Sequence, residues 1–153
     1  MKSRIVLWLL LPAAALMAQG VETGGVILES HLGTRSYGIG GTIYFNTKLN
    51  INPRLGVQAY RILPAAPGPT NSSNSITLGL GISKYFYIDY EKTDEAIEYP
   101  KSIGNGNGVK IGGIYQIELA QVPFGVGGFI AFRSGNGHSH TEAGVQLSYT
   151  FGF

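Results

Sequence analysis

The residues that could do chemistry in this 153-residue chain lie together near the C-terminus, in the stretch His138-Ser139-His140-Thr141-Glu142. In an extended segment alternate side chains project to one side, so His138, His140 and Glu142 could bind a borderline metal such as zinc. The stretch also offers the hydroxyl, imidazole and carboxylate of a serine nucleophile site, which works only when the three groups converge in space. The spacing of these residues in the sequence does not require the three groups to converge. We therefore interpret the stretch as a polar loop and expect no catalytic residue, no cofactor and no metal ligand.

Composition excludes several classes of protein. Only 13% of the residues are charged, about half the usual share, while glycine is abundant at 23 residues. This excludes a disordered polyelectrolyte, a coiled coil and a cytosolic enzyme with an ordinary charged surface. A net charge of +2 is too small for an electrostatic nucleic-acid binder, and the absence of cysteine excludes disulfides and thiolate metal sites.

The N-terminus is typical of a secretory signal peptide. Two basic residues precede an uncharged run over residues 5–18, which Pro12 interrupts. A helix that spans a bilayer needs roughly 20 apolar residues, so this run is too short, although an uncleaved anchor stays the alternative. We expect a signal peptide over residues 1–18, with cleavage as late as Gly20, and one mature domain over residues 21–153. Without the leader the chain has 9 basic and 9 acidic residues and is neutral.

The dominant period of the mature chain is two, which predicts β-strands. The C-terminal segment is the clearest case, with an unbroken apolar face that comprises Val145, Leu147, Tyr149, Phe151 and Phe153. The same pattern predicts eight strands, at residues 24–33, 36–46, 54–63, 76–83, 86–93, 108–117, 124–133 and 143–153. Clusters of Gly, Pro, Asn and Ser separate them. The predicted fold class is all-β, an eight-stranded antiparallel up-and-down arrangement.

The two faces of the predicted sheet differ in a way that indicates which one points inward. One face is almost entirely apolar, with Arg61 as its single charged residue. The other face is rich in glycine and carries six charges: Glu29, Arg54, Asp89, Glu91, Lys110 and Arg133. An eight-stranded barrel has an interior just wide enough for side chains to fill, so it can hold the glycine-rich face but not the bulky one. The apolar face then meets lipid, and the barrel must be closed because an open edge in hydrocarbon leaves backbone groups unpaired.

The expected connections differ in length between the two ends of the barrel. At the end that holds both termini, we expect short turns at residues 47–53, 84–85 and 118–123. At the opposite end, three of the four loops are longer, at residues 64–75, 94–107 and 134–142. Short periplasmic turns with longer extracellular loops are the bacterial outer-membrane pattern.

Charges inside a narrow barrel should be paired, because an isolated buried charge is costly. We expect Glu91 on the fifth predicted strand to pair with Lys110 on the sixth. We expect Arg54 and Glu29 to join through other polar residues, namely Gln58, Tyr60 and Gln146. Such a network would be a structural plug. The alternative is a gated proton or ion path, because the inward glycines leave space unless tyrosines fill it, namely Tyr44, Tyr60 and Tyr87.

The chain resembles the small eight-stranded outer-membrane β-barrel proteins of Gram-negative bacteria over nearly all of the mature sequence. The most specific feature is the final strand, Val145 to Phe153, which ends in phenylalanine and has aromatic residues at alternate positions. The resemblance implies an outer-membrane location with membrane lipid and lipopolysaccharide as partners. It implies assembly by the outer-membrane machinery, which would recognise the strand that ends in Phe153. We further expect a monomer with no nucleic-acid partner, no catalysis, and a structural or loop-mediated surface role.

Three alternatives stay open. Some barrels of this family modify lipid A with His, Ser and an acidic residue near the outer rim, so one alternative is a lipid-modifying enzyme that uses the stretch from His138 to Glu142. A second is a narrow pore or small-molecule carrier that uses the glycine-lined lumen. The third is a soluble secreted β-barrel, in which the apolar face would point inward.

Overall fold

The structure is a computed structural model, and it describes residues 21–63, 71–82, 85–93, 95–98, 101–104, 106–119, 122–135 and 138–152. The predicted signal peptide at residues 1–18 and Phe153 lie outside the described residues. Within the described ranges, no helix has the length and apolar character needed to cross a membrane.

Eight strands of the described chain close into one antiparallel barrel, and two shorter strands form a separate hairpin. In chain order the strands are β1 (Val21–Gly33), β2 (Ser36–Thr47), β3 (Ile51–Ile62), β4 (Asn71–Ile82), β5 (Phe86–Thr93), β6 (Glu95–Glu98), β7 (Lys101–Gly104), β8 (Asn107–Leu119), β9 (Val122–Gly135) and β10 (His138–Gly152). β6 and β7 pair only with each other, β5 pairs with β8, and β10 closes the barrel on β1. The predicted all-β, eight-stranded up-and-down fold is therefore confirmed.

The register of the barrel shifts by ten residues around its circumference. Successive cross-strand partners lead from Gly25 through Tyr44, Arg54, Gly79, Asp89, Lys110 and Ala131 to Glu142. Glu142 then lies beside the segment just past β1, where the Arg35 backbone N–H donates a hydrogen bond to its carboxylate at 3.3 Å. Such a stagger requires strands tilted by about 35–45° from the barrel axis. The tilt and closure give every strand two hydrogen-bonded neighbours, so the barrel has no free edge.

The alternation predicted from the sequence places the apolar face outward and the glycine-rich polar face inward. Leu147 is 57% exposed, whereas its neighbour Gln146 is 1% exposed. Phe151 is likewise exposed, while Ser148 is buried. The expected orientation of the two faces is confirmed, because bulky side chains occupy the wide outer surface and glycines occupy the narrow interior.

The two ends of the barrel differ in their connections. The terminal end, as we call it, holds the start of β1, the end of β10 and the strand ends at which β2 leads to β3, β4 to β5 and β8 to β9. Between β2 and β3, Asn50 adopts a left-handed φ of 55°, a conformation that asparagine tolerates better than most residues, and its N–H donates to the Thr47 carbonyl at 3.1 Å. The loop end holds the strand ends at which β1 leads to β2, β3 to β4 and β9 to β10, together with the β6–β7 hairpin.

The predicted outer loop at residues 134–142 is wrong. β9 continues to Gly135, β10 begins at His138, and residues 138–142 pair with residues 131–135. The sequence there is polar because one face of this part of β10 points into the polar interior. The other face lies closer to the loop end than the apolar part of the exterior. The same effect makes the predicted loop 64–75 too long, since β4 begins at Asn71. It also makes the predicted turn 47–53 too long, since β3 begins at Ile51.

Candidate functional site

The polar interior of the barrel is the candidate site, and inward strand positions supply all of it. The six charged residues predicted to point inward are all buried: Glu29, Arg54, Asp89, Glu91, Lys110 and Arg133. His31 and Glu142 join them, with 5% and 0% exposure. Neither was among the residues predicted to point inward, although His31 lies on the same face of β1 as Glu29, and Glu142 on the same face of β10 as Gln146. Extending the alternation by one or two positions would have found both.

A charge cluster closes the interior towards the loop end. Arg133 on β9 reaches Glu91 on β5, with 2.7 Å between its Nε and the Glu91 Oε2. The guanidinium also forms an ion pair and hydrogen bond with Glu142 on β10. The Ser36 hydroxyl at the start of β2 donates to the Glu142 Oε1 at 2.7 Å. One arginine therefore holds two buried carboxylates, and these contacts together connect four strands, namely β2, β5, β9 and β10.

The predicted pair between Glu91 and Lys110 is wrong. In the register Lys110 is opposite Asp89, and Glu91 is opposite Gly108. The Lys110 amine instead lies 4.0 Å from the Glu29 Oε1 and 4.9 Å from the centre of the Phe129 ring. Its nearest carboxylate therefore comes from across the lumen rather than from the adjacent strand.

The predicted link between Arg54 and Glu29 is also wrong, although one of its intermediates is correct. Gln58 donates to the Glu29 Oε1 at 2.6 Å. Arg54 instead pairs with Asp89, with 3.1 Å between its Nε and the Asp89 Oδ1. Its guanidinium lies 4.2 Å from the centre of the Tyr87 ring, which adds a cation–π contact.

The pairs Arg54–Asp89, Glu91–Arg133 and Glu29–Gln58 share one arrangement that adjacent-strand reasoning missed, because the partners lie two strands apart with a glycine between them. Arg54 is opposite Gly79, which is opposite Asp89. Glu91, Gly108 and Arg133 form a second such row, and Glu29, Gly40 and Gln58 form a third. A Cβ at Gly108 would lie 2.9 Å from the Arg133 Cγ. A side chain at these positions would occupy the space through which the partners meet.

The centre of the barrel is filled by aromatic and amide side chains. Tyr87 is 1% exposed, and its hydroxyl donates to the Gln146 Oε1 at 2.5 Å. Towards the terminal end, beneath Tyr87 and Arg54, the interior widens into a cavity of about 240 Å³. The cavity wall is formed mainly by neutral polar residues, among them Asn46, Asn52, Gln116, Ser148 and Thr150. The arrangement is a closed network of paired charges above a small polar cavity.

The residues considered for catalysis or metal binding do not converge. Ser139 is exposed on the outer face of β10, while Glu142 is buried on the inner face and bound to Arg133. His140 is partly buried, and the side chain of His138 lies outside the described part of the structure. Among the residues that are described, no group of three or more His, Asp or Glu side chains is placed to hold a metal ion. The hydroxyl and the carboxylate of the considered nucleophile site are on opposite faces of one strand.

The fold and the site together define a class of protein: a closed eight-stranded β-barrel with an apolar exterior and an ion-paired polar interior. Comparisons of the chain with protein-family models, with curated proteins and with solved structures found no match.

Proposed function

We propose that this protein is an integral β-barrel of a bacterial outer membrane, with a plugged interior and a structural or loop-mediated surface role. The observation that carries the proposal is the band of large apolar side chains on the outside of a closed barrel. Ile39, Tyr115 and Phe86 are 63–67% exposed on this band. In water such a continuous surface would be costly at roughly 25 cal/mol per Å², whereas in lipid it is the expected exterior.

The height of the band and the position of its aromatic residues support a membrane location. On β9 the outward apolar residues run from Phe124 to Phe132. At about 3.3 Å per residue and a tilt near 40°, they cover roughly 20 Å of the barrel axis, close to the apolar band of outer-membrane barrels. Outward aromatic residues lie near the terminal end, namely Phe45, Phe86, Tyr115, Phe124, Tyr149 and Phe151, and others lie towards the loop end, namely Tyr37, Tyr90 and Phe132.

The filled interior favours a plug over an open pore. Paired charges occupy two levels, at Arg133 and at Arg54, and Tyr87 reaches across the interior to Gln146. The interior of an eight-stranded barrel leaves little room beyond its own side chains. In a plugged barrel, the connections of the loop end are the part of the molecule available to meet other molecules outside the cell. The separated positions of Ser139 and Glu142 likewise give no support to a lipid-modifying enzyme.

The test is to express the full chain in a Gram-negative host and locate it. We expect it in the outer-membrane fraction, and we expect unboiled protein to migrate differently from boiled protein in gel electrophoresis. Leu147→Arg places a charge in the band and should lower the free energy of unfolding in bilayers by about 2–4 kcal/mol. Ser139→Arg is the matched control, because Ser139 lies on the outer face of the same strand near the loop end, and it should leave folding unchanged.

Two results would contradict the proposal. One is recovery of the wild-type protein from the soluble periplasm with identical migration before and after boiling. The other is equal stability of the Leu147→Arg and Ser139→Arg variants in bilayers, because a charge at the centre of the band is costly only if the band contacts lipid.

A further inference from the structure

The outer wall of the barrel has an apolar furrow that crosses β1, β2 and β3. Three adjoining depressions of about 680, 460 and 400 Å³ share Ile39 as a common wall. They exist because small residues, namely Ser30, Gly41 and Ala59, take outward positions between large ones. Leu28, Phe124 and Leu147 bound the furrow on its other side.

One mouth of the furrow carries an unpaired cation. Arg61, on the penultimate position of β3 at the loop end, is exposed and lines the depression together with Tyr37 and Ser72. Within the described part of the chain, the Arg61 side chain forms no ion pair and no hydrogen bond. Lys92, on β5, is also outward-facing and exposed near the loop end, so the prediction that Arg61 is the single charge of the outer face is wrong. Lys92 does not line the furrow. An apolar furrow that ends at an unpaired guanidinium fits a ligand with hydrocarbon chains and an anionic head.

We propose that the furrow binds a phosphorylated glycolipid of the outer leaflet, of the lipid A type, with its acyl chains against Ile39 and its phosphate on Arg61. The proposal rests on the proposed membrane location, because the loop end then lies at the outer leaflet. A guanidinium matches phosphate oxygens with two parallel hydrogen bonds, which a point charge cannot do. The adjoining depressions also suit a lipid with several acyl chains better than a lipid with one or two.

A second copy of the chain fits the furrow less well than a lipid. A symmetric contact would use the same patch on both copies. It would therefore bury Arg61 of each copy without an acidic partner, since the outward side chains around the furrow include no carboxylate among the described residues. Burying an unpaired charge is costly, whereas an anionic headgroup neutralises it.

The experiment uses the refolded mature protein in neutral detergent, with native mass spectrometry to count bound lipid. The probes are bis-phosphorylated lipid A, the same lipid after dephosphorylation, and phosphatidylglycerol. Two pairs of variants test the furrow: Arg61→Gln against Lys92→Gln, and Ala59→Leu against Ala143→Leu. Ala143 is an outward alanine on β10 that does not line the furrow. Only samples whose unboiled form migrates as folded protein enter the comparison, so failure to fold would count against the proposed function and not against the lipid site.

We expect one retained lipid A, bound about tenfold more weakly by Arg61→Gln, as for the loss of one charge-assisted contact. Ala59→Leu should also weaken binding, and the two controls should match wild type. Dephosphorylation should remove the difference between wild type and Arg61→Gln. Equal retention by Arg61→Gln and Lys92→Gln would overturn the site. Equal retention of phosphatidylglycerol and lipid A would overturn the ligand class, and a lipid-free dimer as the main species would assign the furrow to a second copy.

Discussion

Arg133→Met tests whether paired charges hold the barrel interior together. The Arg133 side chain is 4% exposed and lies between two carboxylates, Glu91 and Glu142, that are each 0% exposed. Methionine preserves part of the stem but leaves both carboxylates without a cation. Removing one member of a buried pair costs about 3–5 kcal/mol, because the remaining charge cannot be hydrated. Because two carboxylates lose their cation, we expect the decrease in the free energy of unfolding to lie at the upper end of that range.

The measurement is a urea titration of protein refolded in vesicles, in which the folded fraction is read from the unboiled gel band. The triple variant Arg133→Met with Glu91→Gln and Glu142→Gln should recover most of the lost stability, because it removes the uncompensated charges. Arg61→Met removes the same type of side chain from an exposed position and should cost less than about 1 kcal/mol. The reasoning fails if Arg133→Met is within about 1 kcal/mol of wild type, or if the triple variant is no more stable than the single one.

Three further predictions concern the interior. Gly79→Ala should destabilise the barrel by about 1–3 kcal/mol, because the added Cβ meets the Asp89 side chain and nearby backbone, whereas Gly128→Ala, whose Cβ meets nothing nearer than 3.5 Å, should be neutral in the same urea titration. Tyr87→Ala should leave the barrel non-conducting in planar bilayers, because the paired charges around Arg133 still close the interior towards the loop end, and conductance steps in this variant would contradict that closure. Zinc should leave the urea midpoint unchanged, because Arg133 already holds Glu142, and a zinc-dependent rise would contradict this account.

Periodicity identified the eight barrel strands, but it missed their ends near the loop end and the strands β6 and β7, which lie within the predicted loop 94–107. Within the apolar band the outer face is apolar and the inner face is polar, so the hydrophobicity of the sequence alternates with a period of two. Above the band both faces are polar and the alternation disappears, as in Asn71-Ser72-Ser73-Asn74-Ser75 at the start of β4. These residues still pair across their full length with β3. Backbone hydrogen bonds continue the strand beyond its last alternating apolar residue. The side-chain pattern in the sequence gives no indication of these bonds.

The sequence identified the inward charges more successfully than their partners. The position of a residue in the alternation of a strand decides whether its side chain points inward or outward. Glu29, Asp89 and Arg133 each point inward, as predicted. Pairing also depends on register between strands and on how far a side chain reaches across the lumen. Both are properties of the closed barrel. The mistaken pair of Glu91 with Lys110 assumed contact between adjacent strands.

The glycine content of the inner face and the ion pairs of the interior are two aspects of one arrangement. Neighbouring strands lie about 4.8 Å apart, so residues two strands apart are separated by roughly twice that distance. Arginine and glutamate can span this gap in a tightly curved barrel only if the residue between them has no side chain. Gly79 meets this requirement for Arg54, and Gly108 meets it for Arg133. Gly79 and Gly108 are therefore positions where side chains from the two flanking strands fill the interior, so replacing either glycine would break an ion pair rather than fill empty space.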